Sequence, residues 1–527
     1  MGDSGGFRFY YVLAAKGIQD FLLRGGKLRL MVGGSELVEA LPGSFLDGIL
    51  NGLGLCAETD YRVLCRSAGG ARLLFRDEDA VQNLTRCLPL ALSAYAPGLE
   101  AVQAVVKITA GLSSAMEAGE RELQRRRNLL TPVYPVPGPL VARCPRSGLP
   151  AVDWFRQGSE REPADAGMVA KDNARRHARA TLAEKVLPAC GRHEDGRPLR
   201  PMPDDFEALA SDENSFMALV HADGNSLGQR VMALLRAMGA MSDADAAERY
   251  AGFCRAIEDA TQRAVREALE PMVAAANAAA APLYPFRPLV AAGDDMTIVL
   301  RAQDALSFTT RFLKAFEAAT AAEMARLAVP GLQPGGLTAS AGIAYVKRNY
   351  PFAQAYELCE SLCKYAKDGT GRRCSSLAFW RLTSAEAGSM DEIVKAELTT
   401  PDGCRLTRMP YVAGAASAAL GLPAVDALEA LCDALLAMPR GSLRAVLTEL
   451  HQDRNKAEQA FRRILEVASS RQPGRSAGPS ALAAFRRALE ALTGTDGLFT
   501  PEGATPVHDA VELVAAEGRK RSEGEVS

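Results

Sequence analysis

Residues 288–300 read PLVAAGDDMTIVL, in which two apolar segments flank a short acidic turn. Apolar runs of this length, separated by Gly and Asp, are typical of two strands joined by a tight turn. A second acidic turn lies upstream, where the apolar segment MALVHA of residues 217–222 ends at Asp223. We predict that both turns lie at strand ends of one α/β domain, with their carboxylates close together.

The segments around these turns alternate between helix and strand patterns. Two helical segments separate Asp223 from the hairpin, and a helix from about 302 to 327 follows it. A strand (LTASAGIAYV), a helix (FAQAYELCESLCKYAK) and a strand (CSSLAFW) complete the series. The last helix has apolar residues at three-four spacing, which predicts packing on a sheet. These residues are Phe352, Ala355, Leu358, Cys359, Leu362, Cys363 and Ala366. The βααββαβ order is that of an antiparallel palm sheet.

The N-terminal part of the chain carries a similar pattern. The segment YVLAAKGIQDFLL parallels FMALVHADGNSLG, and VLCRSAGGARLLF parallels PLVAAGDDMTIVL. At the position of Asp223 the first copy has Ala15 or Lys16, and its hairpin lacks the acidic pair. We therefore predict two ferredoxin-like palm domains, of which only the second carries the carboxylates.

Changes in composition set the other predicted boundaries. Pro, Gly and Arg are frequent between Leu130 and Pro203, as in a linker or small module, and the pattern after Pro401 is almost wholly helical. The predicted fold class is α/β (α+β), with a C-terminal helical bundle. The predicted domains are a degenerate first palm at 1–128, a linker or small module at 129–205, a catalytic palm at 206–400, a helical domain at 401–515 and a flexible tail at 516–527.

Length and composition exclude several classes of protein. A chain of 527 residues exceeds the roughly 250–300 residues at which single cores stop growing. The net charge of -2 gives no overall field for nucleic acid or an anionic membrane. The eleven cysteines include no CxxC pair, so their spacing indicates neither a disulfide framework nor a zinc site. No signal peptide or membrane-length apolar run is visible, which favours the cytoplasm and no membrane partner.

The acidic turns suggest metal-dependent chemistry on nucleotides. When nucleotides are joined, Mg²⁺ or Mn²⁺ held by carboxylates stabilises the attacking and departing oxygens. Asp223, Asp294 and Asp295 are the predicted ligands and catalytic residues, with the Gly224 carbonyl as a further metal ligand. Because consecutive strand residues point to opposite faces, we favour Asp294 slightly over Asp295.

Further residues are candidates for binding the nucleotide. Asn225 and Ser226 stand at the start of a predicted helix, where backbone amides attract phosphate, and Gly224 and Gly293 belong to the turns. Lys364 and Lys367, on the predicted polar side of the last palm helix, are candidates for contacts with triphosphate. The alternatives stay open: two ordinary hairpin turns, an ordinary N-cap and plain surface lysines.

At these residues the sequence resembles the large palm subunit of type III CRISPR interference complexes, whose active palm carries a GGDD turn and makes cyclic oligoadenylates from ATP. HADGNSLG is similar to that family's first metal motif and AAGDD to its GGDD motif. KGIQDFLL, GGSELV and SAGGARLLF resemble its inactive first palm, and LTRMPY the start of its helical domain. GGDEF diguanylate cyclases share the palm ancestry, but the match with them is less extensive.

Departures from the family's pattern limit what the resemblance implies. Ala292 replaces the first Gly of GGDD. The pair His508-Asp509 stands alone, without the further His and Asp that a two-metal phosphohydrolase needs, so we expect no HD nuclease and no DNA cleavage. The family has a zinc site between its palms, and this region offers Cys144, Cys190 and His193 as candidate ligands; we favour a degenerate or absent site.

The resulting prediction is a nucleotidyltransferase that makes cyclic oligonucleotide messengers from NTPs, with ATP as substrate, in CRISPR-type antiviral defence. RNA, CRISPR-type protein subunits and a second copy in a homodimer are its expected partners. The rival prediction is a non-catalytic, RNA-binding scaffold subunit with a vestigial site. Three carboxylates at strand ends argue against the rival, because packing alone does not call for them.

Overall fold

The fold is that of a computed structural model. It describes residues 6–67, 69–129, 138–157, 160–177, 181–210, 216–327, 335–384, 388–414, 420–438, 446, 448–470 and 479–519. The chain forms two compact units. The first comprises Met1–Asp205, Ser226–Thr297 and Ala318–Leu337; the second comprises Phe206–Asn225, Ile298–Glu317 and Thr338–Ser527.

A four-stranded antiparallel sheet forms the core of the first unit, in the order β2-β3-β1-β4. Its strands are β1 (Phe9–Lys16), β2 (Tyr61–Ser67), β3 (Gly70–Phe75) and β4 (Glu100–Lys107). The central strand β1 is buried over most of its length, as its apolar sequence requires. Five helices accompany the sheet: α1 (Ile18–Leu23), α2 (Leu28–Ala40), α3 (Leu46–Gly52), α4 (Glu78–Tyr95) and α5 (Leu112–Arg127).

The segment expected to be a linker or a small module contains regular structure. It comprises the hairpin strands β5 (Ala151–Gln157) and β6 (Glu160–Asp165), then α6 (Ala166–His177) and α7 (Thr181–Val186). Helix α6 packs closely on α2: a Cβ added at Gly33 would lie 1.8 Å from the Lys171 carbonyl oxygen. This stretch is therefore a small packed module and not only a connection.

A six-stranded sheet has the order β12-β11-β10-β7-β9-β8. Its strands are β7 (Phe216–Gly224), β8 (Phe286–Ala292), β9 (Asp295–Arg301), β10 (Ala339–Lys347), β11 (Ser376–Arg381) and β12 (Tyr411–Val412). Strand β10 runs antiparallel to β7 but parallel to β11. The expectation of a purely antiparallel sheet is thus wrong, because a helical crossover between β10 and β11 returns the chain in the same direction.

Between β7 and β12 the described part of the chain also contains α8 (Leu227–Met238), α9 (Asp243–Ala278), α10 (Ala305–Leu327), α11 (Phe352–Gly369) and α12 (Met390–Ala396). Helix α11 packs on β10 and β7 with the apolar face predicted from its spacing, all of whose members are buried. Gly342 makes this approach possible, since a Cβ there would lie 2.1 Å from the Cys359 carbonyl oxygen. None of the described helices is long and apolar enough to span a bilayer.

The C-terminal part is helical, as predicted. Of the predicted tail at 516–527, the structure describes residues 516–519, and 520–527 lie outside the described residues. Four longer helices cover Val425–Leu436, Arg454–Ser470, Pro479–Thr493 and Val507–Glu517. Asp509 lies buried in the last of these helices, where the Tyr411 and Thr407 hydroxyls and the Arg408 amide donate hydrogen bonds to it. Glu517 is also buried and accepts a 3.0 Å bond from the Tyr345 hydroxyl. Burial of these carboxylates, which the sequence alone does not reveal, holds the helix Val507–Glu517 in place.

Candidate active site and metal centre

Asp223 lies at the end of β7, one residue before that strand stops. Strand β10 pairs with it, so that Asp223 stands opposite Ser340 and Gly224 opposite Ala339. The preceding residues of β7 from 217 to 222 are buried, whereas the Asp223 side chain is 36% exposed. A buried strand thus delivers a carboxylate to a partly solvated edge, as its apolar sequence predicts.

The second acidic turn joins β8 to β9. Strand β8 ends at Ala292 and β9 begins at Asp295, so the turn itself is Gly293 and Asp294. Gly293 has φ 61°, a left-handed conformation that favours glycine, whereas Ala292 has no positive φ. The replacement of Gly by Ala at 292 is therefore compatible with the backbone of this turn.

The structure brings together the three predicted carboxylates. Strands β7 and β9 are neighbours in the six-stranded sheet, and Asp223, Asp294 and Asp295 each offer a carboxylate oxygen within 4.8 Å of the others. Asp295 is exposed and the other two are half-buried. An all-oxygen, anionic donor set is what Mg²⁺ and Mn²⁺ prefer, so these residues fit the expected divalent cation.

Lys367 is placed differently from the prediction. It is buried, and its Nζ forms an ion pair with Asp223 and lies 3.4 Å from the Gly224 carbonyl oxygen. The expectation that it lies on the polar side of α11 is wrong, because the last turn of this helix packs over the end of β7. Lys364, one turn earlier, is exposed as expected.

Asn225 is committed to the protein itself. Its Nδ2 donates to Thr338 Oγ1 at 3.0 Å and to the Cys374 carbonyl at 3.2 Å, and its Oδ1 accepts from Ser340 Oγ at 3.2 Å. Its backbone N–H donates to the Thr338 carbonyl at 2.7 Å. Because its side-chain amide and its backbone N–H are both hydrogen-bonded within the protein, Asn225 stabilises the end of β7. Ser226 follows with φ 62° and precedes α8.

Sequence reasoning missed two neighbours of the acidic turns. His221 lies on the same side of β7 as Asp223, with its ring centroid 5.7 Å from that of Tyr356. Burial lowers the pKa of His221 to about 4, with Asp223 opposing and Lys367 reinforcing this shift, so the imidazole is neutral near pH 7. Thr261 of α9 donates a 2.6 Å hydrogen bond to the Gly293 carbonyl. The period of two in β7 was a usable signal for His221; no sequence signal connects Thr261 with Gly293.

The candidate zinc ligands do not form a cluster. Within the described part of the chain, the aspartate triad is the one group of three or more metal-binding side chains with such close ligand atoms. Cys144 is buried with its Sγ 3.2 Å from Met168 Sδ, while Cys190 is exposed. The structure therefore does not bring Cys144, Cys190 and His193 together.

Comparisons with known proteins agree with this architecture. Residues 216–375 match the family model described as Cas10/Cmr2, second palm domain. The solved Csm1-Csm4 cassette in complex with pppApA aligns over 98% of this chain and 70% of its own, with 14% identity and a TM-score of 0.54. The cassette with pppApApA aligns over the same shares, with 15% identity and a TM-score of 0.54. At such identities the likeness shows a shared fold.

The apo Csm1-Csm4 cassette aligns over 69% of this chain and 53% of its own, with 16% identity and a TM-score of 0.43, so the chain spans about half of that relative. No curated protein sequence matches the chain. The family match covers the strands and helices that carry Asp223, the acidic turn and Lys367. Residues 216–375 are therefore a domain of the Cas10/Cmr2 second-palm type, and the chain as a whole shares its fold with the solved cassettes that contain pppApA and pppApApA.

Proposed function

We propose that this protein is a metal-dependent nucleotidyltransferase that joins NTPs, with ATP as the preferred substrate, into cyclic oligonucleotides. The observation that carries the proposal is the convergence of three carboxylate oxygens within 4.8 Å at neighbouring strand ends. Three acidic side chains so close together repel one another, an arrangement that packing does not require and that a bound cation would stabilise.

The aspartates are the proposed holders of Mg²⁺ or Mn²⁺. When bound, such cations stabilise negative charge on the attacking and leaving oxygens of a phosphoryl transfer. Asp223 lies at the end of one strand and Asp294 and Asp295 at a turn before its neighbour, so the cluster can hold cations between rigid elements. The Gly224 carbonyl, 3.4 Å from Lys367 Nζ, points toward a positive group and is a suitable further oxygen ligand.

The remaining candidates divide into substrate contacts and support. Lys364 is exposed on α11, and the half-buried Ser226 directly precedes α8, so both can meet a triphosphate from solvent. Gly293 lets the chain turn closely at the acidic pair. Lys367 and Asn225 act instead as supports, because their polar groups are bonded to the end of β7 and to its neighbours.

Adenosine and the partners are proposed from the relatives. Two of the solved structures named above, the cassettes with pppApA and pppApApA, contain an adenine oligonucleotide and a Csm4 chain, which favours adenine nucleotides and a Csm4-like protein partner in a CRISPR-type complex. RNA and a cytoplasmic location belong to the same proposal. The expected homodimer has no support in these comparisons, since the relatives are bound to a different chain.

The test is to incubate the purified chain with each radiolabelled NTP and Mn²⁺ or Mg²⁺, with and without RNA, and to resolve the products by chromatography. The Asp294→Ala, Asp295→Ala double variant is the negative control. A matched control is Asp304→Ala with Asp433→Ala, which removes two carboxylates outside the triad. A phosphatase-resistant product made by wild type and by this control, but not by the triad variant, supports a synthase and names its base. No product under any condition favours the scaffold.

A further inference from the structure

The hydroxyl group of Thr261, in the long helix α9, contacts the backbone of the acidic turn. Thr261, which has 0% exposure, donates to the Gly293 carbonyl at 2.6 Å and lies 3.0 Å from the Ile257 carbonyl, four residues back in the same helix. A threonine hydroxyl has one proton, so the two carbonyls compete for it. The shorter contact goes to Gly293.

This contact joins a rigid element to a deformable one. Helix α9 extends over 36 residues, and Thr261 lies near its middle, within a buried stripe that packs on β8 among other elements. Gly293, in contrast, sits in a two-residue turn with φ 61° and has no side chain to anchor it. The Thr261 hydroxyl therefore fixes the carbonyl of the residue immediately before Asp294.

We propose that Thr261 is a positioning residue: it holds the Gly293 carbonyl so that Asp294 and Asp295 present their carboxylates in a cation-binding arrangement. The inference rests on the proposed function, and extends it from the carboxylates to the support of their turn. Groups that orient metal ligands commonly change metal affinity or activity by about 10- to 100-fold when removed. Removal of the hydroxyl should thus weaken metal binding, although the proposed role of Thr261 involves no contact with metal or nucleotide.

The chain offers a matched control. Thr309, in α10, also has 0% exposure, and its hydroxyl bonds at 2.8 Å to the carbonyl four residues back, that of Ala305. Thr309→Val therefore removes a buried helical hydroxyl whose hydrogen bond lies within its own helix. Thr261→Val removes a similar hydroxyl that also contacts the acidic turn. Thr261→Ser retains the hydroxyl and should restore binding. If the valine variants fail to fold, Thr261→Ala and Thr309→Ala provide the same comparison.

The experiment measures Mn²⁺ binding to the purified full chain by electron paramagnetic resonance of free Mn²⁺, without nucleotide. We expect Thr261→Val to weaken binding about 10-fold, and Thr261→Ser and Thr309→Val to stay within about 2-fold of wild type. In steady-state assays kcat should fall and the metal concentration for half-maximal rate should rise, with KM for NTP nearly unchanged. Equal Mn²⁺ affinity of Thr261→Val and Thr309→Val would overturn the positioning role.

The outcome also separates this inference from the proposed function. If wild type and the Asp294→Ala, Asp295→Ala double variant bind Mn²⁺ equally, the aspartates do not form a metal site and the proposed function fails. If the double variant loses Mn²⁺ but Thr261→Val behaves like wild type, the metal site stands and only the role of Thr261 is wrong.

Discussion

Replacing Asp223 by Asn should destabilise the protein even though it removes one of three clustered negative charges. The Asp223 carboxylate is the ion-pair partner of Lys367, whose side chain is 7% exposed. The amide that replaces it offers a neutral oxygen, so a buried ammonium remains without a negative charge beside it, with the Gly224 carbonyl at 3.4 Å as its other described acceptor. In Asp294→Asn, by contrast, the Lys367 ion pair remains and repulsion within the triad decreases.

The magnitude follows from the exposure of the two partners. Breaking a fully buried ion pair costs about 3–5 kcal/mol, whereas exposed pairs contribute about 0–1 kcal/mol. Asp223 is 36% exposed and Lys367 is buried, so solvent screening places the expected loss between these limits, at about 2 kcal/mol. For a domain of about 150–250 residues this corresponds to a lower melting temperature by roughly 4–8 °C.

The assay is calorimetric unfolding of the chain in chelator, so that bound metal does not contribute. Asp223→Asn should melt lower than wild type, Asp294→Asn at the same temperature or higher, and the double variant Asp223→Asn, Lys367→Met should recover most of the loss. Wild-type melting of Asp223→Asn, or no recovery in the double variant, would refute the reasoning that this pair supports the end of β7.

Three further predictions concern other supports of the site and the chain end. Asn225→Ala removes a hydrogen-bond partner from the buried donors and acceptors around the end of β7, and should lower the free energy of unfolding by about 1–3 kcal/mol and reduce synthase activity. Wild-type stability and activity in this variant would contradict the proposed support by Asn225. Gly293→Ala should lower the free energy of unfolding by about 1–2 kcal/mol because φ at this residue is 61°, whereas Ala292→Gly should leave activity unchanged. Thermal melting and product formation measure both variants. Equal effects of the two substitutions would contradict the assigned turn geometry. Burial raises the pKa of Asp509 to about 7, so its contribution to the stability of the fold is complete below about pH 4 and is lost as pH rises through 7. Across this pH range the melting temperature should therefore fall less steeply in Asp509→Asn than in wild type. The same fall in both proteins would exclude Asp509 as its source.

Much of the fold could be predicted because its signals are local. The apolar runs around Asp223 and around the acidic turn predicted strands that the structure contains, and the three-four spacing in α11 predicted its buried face. The parallel pairing of β10 with β11 could not be predicted from such runs, since pairing direction depends on how the intervening helix crosses the sheet.

The candidate site divides in the same way. Acidic residues that interrupt apolar strands can be recognised in the amino-acid sequence. Asp223, Asp294 and Asp295 were therefore predicted to converge, and the structure brings them together. The partners of these turns come from distant parts of the chain. Lys367 reaches Asp223 across 144 positions, and Thr261 reaches Gly293 across 32. Neither separation leaves a pattern that can be recognised in one sequence.

The positions of charged residues, of apolar segments and of glycines that permit a turn can be recognised in the sequence, because these properties belong to single residues and near neighbours. The packed fold was needed to reveal that Lys367 is buried against a carboxylate, that the polar groups of Asn225 are hydrogen-bonded within the protein, and that Asp509 and Glu517 anchor the helix Val507–Glu517. The physical reason is that burial and hydrogen-bond partners depend on what packs against a side chain, and those neighbours are supplied by chain segments far away in the sequence.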